Sequence, residues 1–363
     1  MKEVTRLLKK LFFLLPIVGI MVGFNYFIDP ANLFKSTSYY EEIARVLLNG
    51  KNIARLSNFD ERLVKKYYIE GLTEKKEIVV LGSSRVMLLD SDMFPEHSFF
   101  NSSVSSASLE DDIALYWMLR KKELTPHVVI IGLDPWILNK SNGNTAYKSI
   151  QKEYEEGLAY SKGSSKEKFS LPFSTKYTQL ISPGYFQTSF KMWIDNLGKE
   201  KNTETFYETS DKISDNIMRR ADGSINYGIK YRSAGREEVD SLAATFVRDP
   251  SMLNNFNRLD PELISNFEAF VKILKEDKVA VIFYLPPYHP VVYKSLVTSE
   301  RYKTILEAQS YFEKYAQDNN IKLLGSYNPA DMELGEDDFY DAMHQDLESV
   351  RAIFSHKIIE DVR

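Results

Sequence analysis

Two hydroxyls end a strand-like run in EIVVLGSSRVMLLD, residues 77–90. Gly82 lets the chain leave that strand in a conformation other residues resist, which would hold Ser83 or Ser84 on a tight turn. A serine hydroxyl is nearly inert alone. As a nucleophile it needs an imidazole to take its proton and an acid to orient that imidazole. The chain has five histidines: His97, His127, His289, His344 and His356. His127 directly precedes a predicted strand, His97 lies in a polar loop, and His356 falls inside the predicted last helix. His344, in FYDAMHQD, follows Asp341 by three residues, a spacing that lets the carboxylate reach the far ring nitrogen. His289, in YLPPYHP, follows the third predicted strand; there Tyr284, Tyr288 and His289 either line an acceptor site or belong to a proline-rich turn. The plainer alternative for Ser83 and Ser84 is a turn or helix cap, and for Arg85 a surface ion pair instead of an anionic substrate group. Asp341 and His344 might otherwise bind a metal, but no H-x-H, H-E-x-x-H or carboxylate cluster supplies further ligands, so no metal site is expected.

The elements that must position these groups follow from periodicity. Four short apolar runs, 78–81, 128–131, 279–285 and 321–324, read as strands buried on both faces. Helical spacing marks 39–70, 108–124, 261–275, 301–319 and 347–362, with Ser108 capping the second of these and Asp111 reaching back. The alternation predicts an α/β fold: a three-layer, doubly wound, mainly parallel sheet with its functional residues at the carboxyl ends of the strands. Residues from about 140 to 250, rich in Tyr, Ser, Lys and Asn, break the rhythm and read as a central insertion, either a lid or substrate-binding region or a surface excursion.

Leu11 to Ile28 is an uncharged 18-residue run preceded by Lys2, Arg6, Lys9 and Lys10. That pattern predicts a transmembrane anchor over 1–30 with its N-terminus in the cytoplasm, and an extracytoplasmic domain over 31–363. A cleaved signal peptide would end in small residues of A-x-A type, which FNYFIDP lacks. The 46 basic residues against 51 acidic give no reason to expect nucleic acid as a partner. The absence of cysteine excludes disulfides, thiol catalysis and thiolate metal sites, and no P-loop or dinucleotide glycine pattern suggests a nucleotide cofactor.

The blocks GSSR after a strand, NSSVSSAS (101–108), IIGLDPW closing a strand, and D-x-x-H before the last helix together resemble the SGNH (GDSL-like) hydrolase superfamily. They are most similar to its membrane-anchored, extracytoplasmic branch, which acts on cell-envelope polymers and includes partners of membrane-bound O-acyltransferases and the D-alanyl transfer protein of the teichoic-acid pathway. The blocks span 78 to about 350. The resemblance implies a flavodoxin-like SGNH fold, Ser84 as nucleophile, His344 as general base, Asp341 as its orienting acid, and no cofactor. It implies an oxyanion contact from the backbone N–H of Ser106, where the family has a glycine, beside that of Ser84. Arg85 and His289 are further substrate-binding candidates. Where the family has the asparagine of G-x-N-D, this chain reads Gly132-Leu133-Asp134-Pro135. An ionised aspartate would repel an oxyanion, so Asp134 is either neutral or holds a loop or a substrate hydroxyl. The implied function is a serine-dependent O-acyltransferase, with acetyl transfer foremost, or an esterase. Its acceptor would be an envelope polysaccharide or teichoic-acid-like polymer, beside a multi-pass membrane O-acyltransferase. The alternative is a catalytically inactive scaffold or glycan-binding module on the same fold.

Overall fold

The computed structural model describes residues 2–29, 34, 37–56, 59–163, 175–195, 206–250, 252–253 and 255–354, with side chains from residue 15 onward except at 37, 175, 176 and 195. Its strands are β1 (Asn52–Ala54), β2 (Ile78–Leu81), β3 (Phe99–Asn101), β4 (Val128–Gly132), β5 (Tyr207–Thr209), β6 (Met218–Arg219), β7 (Ile225–Asn226), β8 (Ala280–Leu285) and β9 (Lys322–Gly325).

The apolar runs IVVL, VVIIG and AVIFYL have almost no surface that water could solvate, and every residue of the first two is buried. They form the centre of a five-stranded sheet in the order β3-β2-β4-β8-β9, parallel at every pairing. From β2 the chain goes first to one side, to β3, then crosses back to β4 and continues to β8 and β9. The winding reverses between β2 and β4. This is the flavodoxin-type order, in which a crevice opens at the carboxyl ends of the two strands flanking the reversal. The unpredicted fifth strand, β3, is only three residues long and follows a polar loop, so it shows no periodicity of its own.

Alternate strand residues serve two cores. Val79, Leu81, Val129, Ile131 and Phe283 pack under the helices Thr37–Leu48, Glu61–Gly71, Leu109–Lys121, Pro261–Glu276 and Thr304–Asp318. Ile78, Val80, Ile130, Ile282 and Tyr284 face a thinner layer made from residues 86–94, Ile225, Tyr227 and the helix Leu347–Ile353. The rest of the predicted last helix, 355–362, lies outside the described residues. The stretch 39–70 divides at Gly50 (φ +75°), where β1 interrupts two helices, the second capped by Asp60 accepting from the Arg62 N–H at 2.9 Å.

Much of the insertion is integral to the fold. Its strands β5, β6 and β7 join β1 in a second, antiparallel sheet. Its hairpin then fastens to the edge of the main sheet: Asn101 N–H donates to Asp222 O (2.8 Å) and Ile225 N–H to Met87 O (3.0 Å). Arg220 pairs with Asp90 (2.5 Å) and Asp92 (3.0 Å). Buried Lys65 donates to the carbonyls of Asn101 (2.5 Å) and Gly223 (2.6 Å), and burial lowers its ammonium pKa to about 7. The apolar N-terminal run lies within one helix, Lys2–Ile28. Among the described residues, whose side chains in that helix begin at residue 15, no helix is long and apolar enough to cross a membrane.

Gly82 has φ +127°, and a Cβ there would meet Gly132 O at 2.9 Å, so the backbone turns and closes on β4 where a side chain has no room. Gly82→Ala is expected to cost about 2–3 kcal/mol in urea unfolding. Gly143→Ala, also at positive φ but with nothing within 4 Å, should cost only about 1 kcal/mol.

Candidate active site

The two hydroxyls divide their work. Ser83 is buried and caps a short 3-10 turn, its Oγ accepting from the Arg85 N–H at 3.2 Å. Ser84 opens that turn and is the one residue of 78–90 not fully buried. Its Oγ lies 2.8 Å from His344 Nε2. His344 Nδ1 lies 2.9 Å from Asp341 Oδ2 and 3.0 Å from Oδ1. With Nδ1 facing a carboxylate, the ring proton belongs on Nδ1, which leaves Nε2 to accept from the serine. The D-x-x-H spacing also lets Asp341 organise its own turn: Oδ1 accepts from the N–H groups of Met343 and His344, both at 2.8 Å. Burial alone would raise the Asp341 carboxyl, but His344 and these hydrogen bonds outweigh it and hold the group well below the usual carboxylate range.

Sequence reasoning missed Tyr231. It comes from the insertion, 110 residues before Asp341, and its hydroxyl makes a short hydrogen bond to Asp341 Oδ2 while lying 3.4 Å from His344 Nδ1. Burial and the Asp341 charge push its phenol up, so it stays a neutral donor. Tyr227 and Tyr231 present their rings to His344 at 5.9 and 6.5 Å, with Tyr340 against both. Nothing in the local sequence near Tyr231 marks it; only the docking of the hairpin on β3 brings it to the site.

Arg85, expected as an anion-binding or surface residue, is instead buried and fully engaged. One terminal nitrogen donates to Asp134 Oδ1 (2.8 Å), the other to the carbonyls of Pro286 (2.5 Å) and Pro287 (2.6 Å), and Nε to Met343 O (3.2 Å). The guanidinium also lies 4.1 Å from the ring centre of Tyr288. Asp134 is thereby the counter-ion of Arg85. Burial pushes the Asp134 carboxyl up, while Arg85 and a hydrogen bond with Ser83 pull it down.

Ser106 has left-handed backbone (φ +51°), which accounts physically for a position that favours glycine. Two residues before it, the Val104 N–H donates to Gly82 O (3.0 Å), so this segment leaves along the same rim as Ser84. The Ser106 carbonyl accepts from Asn144 Nδ2 (2.5 Å), and its N–H has no hydrogen-bond partner among the described residues.

His289 is a correction. It is fully buried as the N-cap of helix Pro290–Thr298, its Nδ1 accepting from the Val291 N–H at 3.4 Å, and burial lowers its pKa. Its backbone N–H donates to Ala342 O (3.2 Å), so it supports the Asp341–His344 turn from behind and lines no acceptor site. Asp112, in the first turn of helix Leu109–Lys121, lies fully buried beside Gly82. Burial, Asp111 and Asp134 push its carboxyl well above the usual carboxylate range.

A family model matches residues 7–356 of the sequence. The chain belongs to DUF1574, a family described as a protein of unknown function. No curated protein matches it. Among solved structures, it is similar to a GDSL-like lipase of Bacteroides thetaiotaomicron, at 11% identity and a TM-score of 0.39 over 82% of this chain and 95% of that one. It is also similar to an acylhydrolase-like protein of Bacteroides fragilis, at 10% identity and a TM-score of 0.38 over 82% and 94%.

For this DUF1574 chain, Arg85→Met is expected to destabilise by about 3–5 kcal/mol, because it strands the buried Asp134 charge. Adding Asp134→Leu to Arg85→Met should recover a large part of that loss in denaturant titrations; a surface role for Arg85 would give no loss to recover. Asp341 provides a pH test. Because its folded pKa is depressed, the stability it contributes is present above the ordinary carboxylate pKa of about 4 and lost as pH falls below it. The stability difference between the native chain and Asp341→Asn should therefore shrink as pH falls below about 4.

Proposed function

We propose that this chain is a membrane-anchored, extracytoplasmic serine enzyme that takes an acyl group from an ester and delivers it to a hydroxyl of an envelope polysaccharide or to water. The observation that carries this reading is the hydrogen-bonded line from Ser84 through His344 to Asp341, at 2.8 and 2.9 Å, at the crevice of the sheet. Ser84 Oγ attacks the acyl carbonyl while its proton passes to His344 Nε2; Asp341, held ionised, stabilises the imidazolium. The tetrahedral oxyanion takes hydrogen bonds from the backbone N–H groups of Ser84 and Ser106. Collapse breaks the ester bond, and His344 returns the proton to the leaving alcohol. An acceptor hydroxyl or a water then attacks the acyl-serine, giving its proton to His344, and Ser84 is regenerated.

The uncharged run 11–28 with its basic N-terminal flank supports the anchor. A tether raises the effective concentration of the site near lipid-linked acceptors and near a multi-pass membrane acyltransferase that would supply acyl groups. Transfer is favoured over hydrolysis on that ground.

One observation favours a second reading, an inactive scaffold on the same fold. Asp134 stands where an oxyanion-binding side chain would be and is committed to Arg85, and a missing donor costs about 3 kcal/mol of transition-state stabilisation. Labelling with a fluorophosphonate serine probe separates the two. The enzyme reading expects wild-type labelling that is lost in Ser84→Ala and kept in Ser83→Ala, whereas an unlabelled wild type supports the scaffold. With a 4-nitrophenyl acetate assay, Tyr231→Phe is expected to lower kcat about tenfold with KM little changed, since Asp341 loses one charge-assisted hydrogen bond of about 1.5 kcal/mol. A proportional rise in KM alone would instead make Tyr231 a substrate contact.

A further inference from the structure

The helix Pro183–Asp195, within the insertion, runs antiparallel to the outer end of helix Lys2–Ile28. Tyr185 OH donates to Asp29 Oδ1 (2.6 Å) and Ser189 Oγ to Asn25 Oδ1 (3.0 Å). Phe186, Phe190 and Trp193 then surround Phe24, with ring centres at 5.3, 6.2 and 5.9 Å. Asn25 sits inside the uncharged run, where an amide facing lipid would be costly. Its side chain is fully buried, and Nδ2 donates to the carbonyls of Leu180 (3.0 Å) and Gln179 (3.2 Å). The insertion therefore supplies every polar partner this amide needs, at the point where the run would leave the membrane.

The flank of the same helix beside this contact is apolar, while Gln187, Thr188 and Lys191 are exposed on the side away from it. Phe190, Trp193 and Ile194 are 44%, 41% and 47% exposed, alongside Ile20 of the N-terminal helix at 68%. Lys191 is the one charged residue between positions 177 and 194. Asp29 to Phe24 is five residues, about 7 Å along a helix, so the Phe24 cluster lies roughly one turn inside the run's outer end. That is the depth at which tryptophan and other aromatic rings concentrate in membrane proteins, and a lone lysine there can reach the headgroups along its stem.

We infer that helix 183–195 is a second membrane element, its Phe190, Trp193 and Ile194 face lying in the headgroup–acyl boundary of the outer leaflet against phospholipid. The inference rests on the anchor reading above. It adds a lipid contact far from the anchor in sequence, from the segment that also carries Tyr231, so the site is held at a fixed height and tilt over the bilayer.

The chain has no cysteine, so single-cysteine variants label uniquely. The full-length chain is reconstituted in phosphatidylcholine–phosphatidylglycerol vesicles with an environment-sensitive fluorophore at Ile20→Cys, Ile194→Cys or Glu300→Cys in turn. Lipids carrying a nitroxide on the acyl chain should quench the labels at 20 and 194 about twofold or more, while aqueous iodide quenches only the label at 300. Lipid quenching at 20 with iodide quenching at 194 would overturn this inference and leave the anchor standing. Iodide quenching at both would overturn the anchor and the inference together. A label at 194 shielded from both quenchers would mean that protein covers this face and would also overturn it.

Discussion

The buried guanidinium of Arg85 is the constraint on which the site depends. It reaches the segment after β2 from its own position, the end of β4 through Asp134, the end of β8 through the carbonyls of Pro286 and Pro287, and the Asp341–His344 turn through Met343 O. Three strand ends and that turn are thus tied by one planar, permanently charged group, a task for which a lysine has neither the fork nor the number of donors. Met343 sits between Asp341 and His344, so the same group that balances Asp134 also fixes the turn that presents the imidazole to Ser84. A buried charge with all its partners in place resists any local slip of these loops, because moving one of them would leave a desolvated ion unpaired.

Around that tie, the site is closed by chain from elsewhere. The hairpin over 218–226 is fastened by Asn101, Arg220 and Lys65, and it leads directly into Tyr227 and Tyr231. Those rings give His344 an aromatic wall, and the Tyr231 hydroxyl donates to Asp341 Oδ2, the oxygen that also faces His344 Nδ1 and that the N–H groups of the turn do not reach. Asn144 holds the carbonyl of Ser106, whose N–H has no hydrogen-bond partner among the described residues. The geometry thus combines a serine hydroxyl facing an imidazole and an imidazole whose tautomer a carboxylate fixes, while the side chain at 134 is spent on structure.

The insertion contacts two separate parts of the structure. Its first part packs against the N-terminal helix through Asn25 and Asp29, and its second part builds the antiparallel sheet and supplies Tyr231. A single stretch of chain therefore covers the end of the apolar helix and walls the Asp341–His344 pair.

The sequence by itself determined the central strands, because continuous β-branched runs bounded by turn residues have few alternatives to burial in a parallel sheet, and it determined the Asp341–His344 unit, because that contact is made within one turn of chain. Ser84 was legible for the same local reason: Gly82 must turn where no side chain fits. The edge strand β3, the cross-tie of Arg85, the capping role of His289 and the arrival of Tyr231 were decided only by tertiary structure. Each depends on groups brought together across as many as 258 residues, and no periodicity or local spacing encodes such a distance. A charged residue after a strand reads the same whether it meets a substrate or a buried carboxylate; the packing of three strand ends and a distant turn around it makes the difference.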